Sequence, residues 1–173
     1  MSAIPVTPTA PAAVRRPGML VAAVGVVVVT ALSAIVNGLL IATGGKELVR
    51  DLLVQAGLPE DVSEADLDAF AQLAGEGSLD EVVSTFTTRG YLALGAGAAL
   101  LVFGLLMMKA ATWTRVLVTI SAAFTMVFSL VILGDETTTT MAGLAMLAIL
   151  GAIVSIIFTW LPPIGRYGKA LKA

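Results

Sequence analysis

The chain has 173 residues, of which 58% are hydrophobic and only 13% are charged, and its formal net charge at pH 7 is −2. A soluble domain is about half apolar and about a quarter charged, so this composition is typical of a membrane protein. The chain has no cysteine and no histidine, which excludes disulfides, thiolate metal sites, lipoprotein anchoring and thiol nucleophiles, and removes the commonest metal ligand and proton shuttle.

The chain begins with a segment rich in Pro, Ala and Thr, residues 1–17. Such a composition cannot bury a core, so we predict a disordered cytoplasmic tail. The apolar run that follows is far longer than the roughly 7–15 residues of a signal-peptide core. We therefore predict an uncleaved membrane anchor rather than a removable signal.

Apolar residues are concentrated in four blocks without an ionisable side chain, which cover residues 19–43, 90–108, 116–134 and 137–164. Crossing about 30 Å of hydrocarbon takes roughly 20 helical residues, and each block is long enough or nearly so. The blocks are apolar all round and lack the polar stripe of a soluble helix. The sequence thus predicts an all-α integral membrane protein, a bundle of four transmembrane helices. We call them spans 1 to 4, at about 19–43, 90–108, 116–134 and 138–161.

Residues 44–89 are too long for a simple connection between spans 1 and 2. Two stretches rich in small residues, GLPEDVS and GEGS, divide them into three predicted helical pieces. The first piece, KELVRDLLVQA, is predicted to continue span 1 outward. The second begins at Ser63 and the third at Ser78, and each has an acidic residue three positions later (Asp66 and Glu81), as in a capping box. We therefore predict a small amphipathic helical cap that rests on the bundle or on the lipid interface.

Polar and small residues follow helical rows inside the predicted spans, which contain no Asp, Glu, Lys or Arg. Ion-coupled carriers usually keep such a residue near the midplane, so its absence argues against a small multidrug-type carrier. Small residues four positions apart let helices approach closely, and hydroxyls bond across the interface at about 0.6 kcal/mol each. The rows predict a packing seam within the bundle or toward a partner, with a lined polar path as the alternative. This predicted seam consists of Thr30, Ser33, Asn37, Gly95, Gly97, Ser121, Thr125, Ser129, Gly151 and Ser155.

Span 4 leads into the final stretch TWLPPIGRYGKALKA. Pro162 disfavours helical geometry at Leu161, and Pro163 cannot continue the hydrogen-bond ladder, so we expect the span to end there. Residues 165–173 are then a basic cytoplasmic tail that can lie against anionic lipid. Side chains at the ends of the spans are predicted to anchor them at headgroup level, namely Tyr91, Trp113, Trp160, Arg166 and Lys169.

Charges separate the two ends of the predicted bundle. One end, the basic end, has seven positive side chains and no acidic one: Arg15, Arg16, Lys109, Arg115, Arg166, Lys169 and Lys172. The other, the acidic end, comprises residues 44–89 and the GDETTTT turn after span 3. It holds all twelve carboxylates against three cations, a net charge of −9. The positive-inside rule predicts both termini in the cytoplasm and the acidic end outside.

Three motifs mark the span boundaries: RRPG before span 1, Trp-x-Arg before span 3, and WLPPIGRY after span 4. In these motifs and in its proline-rich tail the chain resembles small four-helix integral membrane proteins of actinobacteria. The resemblance implies a plasma-membrane location and an actinobacterial source. It supplies no catalytic residue, because its motifs are boundary signals.

The carboxylates of PEDVSEADLDAF lack the alternating ligands, central Gly and closing Glu of a calcium loop. We expect a solvated acidic face, with no metal, cofactor or nucleic-acid partner. An enzyme is disfavoured, because a Ser or Thr nucleophile would need a distant carboxylate as its base.

The favoured hypothesis is a non-enzymatic accessory, scaffold or regulatory subunit. It would associate with a larger membrane complex through its small-residue helix faces and its acidic segment. Its partners would be the lipid bilayer and another membrane protein or a second copy of itself. The alternative is a small oligomeric channel or facilitator for a neutral or small solute.

Overall fold

The computed structural model describes residues 17–170 except 61, 74, 76, 110 and 136. This part of the chain has six α-helices, a 3-10 turn at Met107–Lys109 and no β-strand. The helices are α1 Gly18–Gln55, α2 Glu64–Leu73, α3 Leu79–Leu106, α4 Thr112–Gly134, α5 Thr139–Thr159 and α6 Pro162–Ala170. The predicted disordered tail lies outside the described residues, apart from Pro17.

Four of the helices, α1, α3, α4 and α5, are long and apolar enough to cross a membrane. The chain thus has four helices of the length and apolarity that a multi-pass membrane protein needs, as the sequence predicted. α1 packs against α3 and α5, and α4 packs against the same two helices. The bundle is therefore a ring in the order α1, α3, α4, α5, and consecutive helices α3, α4 and α5 are neighbours.

The interior of the bundle is divided into two apolar clusters along its length. At the basic end, fully buried side chains of five helices meet, including Leu20, Leu100, Val118, Ala152 and Ile164. At the acidic end a second cluster joins α1, α3, α4 and α5 through Ile41, Ala93, Ile132 and Met141. Because lipid tails are as apolar as these side chains, close packing rather than transfer from water favours their association.

Glycines bring α1 and α3 into direct backbone contact. A Cβ added at Gly38 would lie 2.6 Å from the backbone nitrogen of Leu94, and one added at Gly90 would lie 2.6 Å from that of Ala42. Real side chains do not tolerate such distances to backbone atoms. Glycine at both positions is thus required for this crossing.

Residues 46–56, which were predicted to continue span 1 outward, follow it across a kink. They are helical as far as Gln55, but the helix is kinked at Gly45, whose φ is 54° and ψ is −142°. This conformation is almost confined to glycine. Because of the kink, Leu48 and Leu52 pack into the acidic-end cluster instead of projecting away from the bundle.

The predicted capping box at Ser63 and Asp66 is reciprocal, whereas at Ser78 and Glu81 the described contacts include only the bond to the serine hydroxyl. At α2 the Ser63 backbone N–H donates to an Asp66 carboxylate oxygen (3.3 Å), and the Asp66 N–H donates to the Ser63 hydroxyl (3.3 Å). At α3 the Ser78 hydroxyl accepts from the Glu81 N–H (3.4 Å). The third piece of the cap and span 2 form one continuous helix, α3.

The last described helix, α6, differs from the predicted basic tail. α5 ends at Thr159 as the two prolines predict, but the same prolines then begin α6, since proline is tolerated in the first turn of a helix. Ile164 and Tyr167 of α6 are buried in the basic-end cluster. Residues 162–170 are therefore part of the folded bundle, with Arg166 and Lys169 exposed on it.

Candidate functional site

Most of the predicted seam lies in the interior of the bundle. Its seven polar side chains are all at most 6% exposed: Thr30, Ser33, Asn37, Ser121, Thr125, Ser129 and Ser155. The Thr30 hydroxyl donates to the Val26 carbonyl of its own helix (2.8 Å). The Asn37 side-chain NH2 donates to the Met141 carbonyl of α5 (3.3 Å), which gives one half of the amide a partner in the bundle interior.

The three predicted glycines occupy different environments. Gly151 of α5 faces Thr30, because an added Cβ would lie 2.1 Å from the Thr30 hydroxyl oxygen. Gly97 of α3 faces α1, where an added Cβ would lie 3.0 Å from an Ile35 side-chain carbon. Gly95 is instead exposed and faces open space beside a groove between α3 and α4. It is not part of the seam inside the bundle, and its contact with a partner stays a prediction.

A regular glycine pattern in α3 was missed by the sequence reasoning. Gly90, Gly97 and Gly104 are buried, and they recur every seven residues on the face that meets α1. The heptad spacing was the available signal, since it places all three on one side of a helix. Gly95, two residues from Gly97, lies on another side.

The predicted membrane-interface aromatics are exposed, as anchors need to be. The exposed fractions of Tyr91, Trp113 and Trp160 are 62%, 56% and 53%. The Trp160 indole N–H donates to the Thr119 hydroxyl (3.0 Å), which links α5 to α4. Arg115, in contrast, is only 8% exposed, and its guanidinium donates to the Ile164 carbonyl at the start of α6.

The cap consists of residues 46–55, α2 and the first turns of α3, and its three pieces are joined by an apolar cluster and by polar contacts. The Lys46 ammonium lies 3.2 Å from a Glu64 carboxylate oxygen and 3.5 Å from one of Asp80. An Asp68 carboxylate oxygen accepts from the Leu79 N–H (2.8 Å). Some carboxylates of the predicted solvated face therefore join the three pieces. Within the described residues, no group of three or more acidic side chains is arranged to hold a metal ion.

A crevice of about 700 Å³ lies between the three pieces of the cap and the end of α4. Its walls are mostly apolar side chains, including Val49, Leu53, Leu67, Val82 and Phe86. Its polar lining comes from Thr85, Arg89 and Asp135. Ligand sites in proteins are commonly concave, mostly apolar and about 300–1,000 Å³ in volume, with a few convergent polar groups. We call this cavity the acidic-end crevice.

An ion pair between Arg89 and Asp135 lies in the lining of the crevice. The Asp135 side chain is 26% exposed and the Arg89 side chain 40%. Arg89 directly precedes the uncharged block 90–108, and Asp135 directly follows the block 116–134. The pair therefore lies where two neighbouring spans end, at the depth expected for lipid headgroups. Sequence reasoning noted both charges but had no means of pairing them.

The chain matches no protein-family model, no curated protein and no solved structure. The crevice presents an ion pair, a threonine hydroxyl and apolar walls, and this set of groups suits binding.

Proposed function

We propose that this membrane protein is a non-enzymatic accessory or regulatory subunit of a larger membrane complex. The observation that supports the proposal most directly is the exposed face of α2. Only Leu67 of this helix is buried, whereas Phe70 is 45% exposed and Leu73 is 85% exposed. Acyl chains cover apolar side chains on the spans, but α2 lies beyond the end of the spans. Its apolar face is therefore available to a partner.

The charge of the acidic end indicates what kind of partner would fit. Twelve carboxylates against three cations give this end a net charge of −9, which disfavours contact with an anionic membrane surface. A protein surface with basic residues around an apolar patch would complement it. We propose a second membrane protein of this kind as the occupant.

The proposed location is a bacterial plasma membrane, with both termini in the cytoplasm and the cap outside. It is supported by the separation of charge between the basic and acidic ends and by the positive-inside rule. Cysteine labelling of single-Cys variants in intact cells tests this orientation, because the chain has no native cysteine. Labelling of Gln55→Cys from outside and not of Lys169→Cys is the expected result.

Affinity purification of the tagged protein from its native membrane, followed by mass spectrometry, tests the subunit proposal. We expect a stoichiometric partner that is lost in Leu73→Asp, which places a charge on the exposed apolar face. The matched control is Gln55→Asp, which adds the same charge to an exposed polar position of the cap. Purification of the chain alone from cells, or loss of the partner in both variants, would refute a docking role for α2.

The channel alternative has one observation in its favour. Asn37 Oδ1, Thr125 Oγ1 and Ser155 Oγ are buried polar atoms without a partner among the described residues. However, these side chains are at most 2% exposed and packed between helices. If Thr125→Val abolishes solute flux in liposomes, the result would support a solute path lined by these three side chains. Unchanged flux would remove the basis of the channel alternative.

A further inference from the structure

We propose that the acidic-end crevice binds a small organic cation with an apolar body, which enters from the aqueous side of the cap. The apolar body would lie against the side chains of the cap, and an ammonium group would meet the Asp135 carboxylate and the Phe86 ring. This inference does not rest on the proposed subunit function, which needs no ligand in the crevice. It follows from the walls, floor, aromatic lining and charge of the crevice.

The walls of the crevice belong to the cap, which lies beyond the ends of the spans. Val49 and Leu53, Leu67 and Val82 come from its three pieces. Phe70 also lines the crevice and is 45% exposed, so the crevice is open to its surroundings beside this ring. A ligand of these walls therefore arrives from water, and the burial of its apolar body favours binding.

The Arg89–Asp135 ion pair forms the floor of the crevice. The same two residues line a small void together with Ile41, Ile132 and Met141 of the acidic-end cluster. The pair therefore separates the crevice from the interior of the bundle, and a ligand that fills the crevice reaches its charges. Arg89 donates to Asp135 Oδ2, and an ionised carboxylate offers about four acceptor sites in all. Asp135 can thus accept a further hydrogen bond from a ligand while the pair stays intact.

An aromatic ring lies close to this carboxylate. Phe86 precedes Arg89 by three residues in α3, which places both on one side of the helix, and Phe86 lines the crevice and the void beneath it together with the ion pair. The face of an aromatic ring attracts a cation within about 6 Å of its centroid. A ring and a carboxylate at the closed end of an apolar cavity are groups that recognise an organic ammonium.

The charge around the crevice favours a cation over an anion or a zwitterion. Each piece of the cap has carboxylates directly beside residues of the lining in the sequence, namely Asp51, Asp66, Asp68 and Glu81. The whole acidic end carries a net charge of −9, and a cleft with apolar walls focuses such a field and concentrates cations. An anion would enter against this field. A zwitterion has no net charge and gains no net attraction from it.

Isothermal titration calorimetry of the full chain in a non-ionic detergent tests the proposal. The probes are diphenylpropylammonium, diphenylpropanol and diphenylpropanoate, which share an apolar body and differ in the charge of the head group. Titration into detergent alone supplies the background. We expect the ammonium to bind about tenfold more tightly than the alcohol and more tightly still than the carboxylate, because it alone forms a charged hydrogen bond with Asp135. Its affinity should fall as salt screens the carboxylates, whereas that of the alcohol should not.

Equal affinity for the three probes would show an unselective apolar cavity and overturn the assignment. Tightest binding of the carboxylate would assign the head group to Arg89 instead of Asp135 and would overturn it as well.

Two variants of the floor distinguish a cation from a ligand that uses both charges. Asp135→Asn should weaken binding of the ammonium about tenfold, because it removes the negative charge that the head group meets. Arg89→Gln should strengthen binding severalfold, because it removes a competing cation and leaves the Asp135 charge in place. The matched control is Asp51→Asn, which removes a carboxylate at an exposed position outside the lining and should change binding little. Weaker binding in both floor variants would indicate a zwitterionic ligand and refute the proposal.

Two variants of the walls leave the ion pair in place. Phe86→Leu keeps an apolar side chain but removes the ring, so it should weaken the ammonium about fivefold and leave the alcohol unchanged. Ala71→Trp adds bulk to the lining and should abolish binding of both probes. Far-UV circular dichroism and the thermal midpoint check that each variant is folded. Charge-selective binding that persists in folded Ala71→Trp would refute the site.

Discussion

At the scale of single residues, the approach of α1 and α3 depends on Gly90. A Cβ at this position would overlap the backbone of Ala42, and backbone atoms cannot move aside as a flexible side chain can. We therefore expect Gly90→Ala to destabilise the bundle by about 1–3 kcal/mol, the usual cost of overpacking a core. Unfolding by SDS in mixed micelles, followed by far-UV circular dichroism, measures the change.

Gly95→Ala is the matched control for that prediction, since it makes the same change in the same helix at a position that faces open space. We expect it to leave stability unchanged or to raise it slightly, because alanine is the better helix former. Equal destabilisation by both substitutions would mean that steric overlap at Gly90 does not limit the crossing. In the sequence, only the seven-residue spacing of glycines distinguishes Gly90 from Gly95, because hydropathy and residue size do not show which side of an apolar helix meets its neighbour.

At the scale of elements, α6 is held on the bundle by Arg115 as well as by its two buried side chains. The Arg115 guanidinium donates to the Ile164 carbonyl, and a hydrogen bond from a charged group contributes about 1.5–3 kcal/mol. We expect Arg115→Ala to detach α6, so that amide hydrogens of residues 164–170 exchange at least about tenfold faster. Hydrogen exchange with mass spectrometry of the detergent-solubilised chain measures this rate.

Lys109→Ala removes a cation from the same end of the bundle at an exposed position, and it should leave exchange in α6 unchanged. Acceleration by both variants would indicate a general effect of charge rather than the Arg115 contact. Sequence reasoning placed Arg115 among the topology charges and residues 165–173 in a tail. The contact could not be predicted, because Arg115 and Ile164 are 49 residues apart and no local feature of the sequence shows that they meet.

At the scale of the whole molecule, the structural features that could be predicted are those that depend on local properties of the sequence. The spans follow from uninterrupted apolar runs, and the starts of α2 and α3 follow from Ser63 and Ser78 with their partners three residues on. The crevice could not be predicted, because it exists only where the kink at Gly45 returns Leu52 over the bundle and where Arg89 meets Asp135. A kink depends on backbone geometry and an ion pair on tertiary contact, and neither leaves a periodic signal.

The bundle and the cap are also expected to differ in stability. α2 has ten residues and buries only Leu67, and helices shorter than about 12–15 residues are marginal without tertiary support. The cap portion of α3, residues 79–89, is equally outside the spans but is continuous with a long buried helix. We therefore expect amide hydrogens of residues 64–73 to exchange much faster than those of 79–89, because local opening follows local contact density.

The exchange rate of α2 also decides how the cap presents its apolar face. Exchange in residues 20–41, which lie within the bundle, serves as the internal reference for slow exchange. If α2 exchanges as slowly as 79–89, the cap is a rigid part of the bundle. In that case its exposed Phe70 and Leu73 are presented to a partner on a fixed surface rather than on a mobile helix.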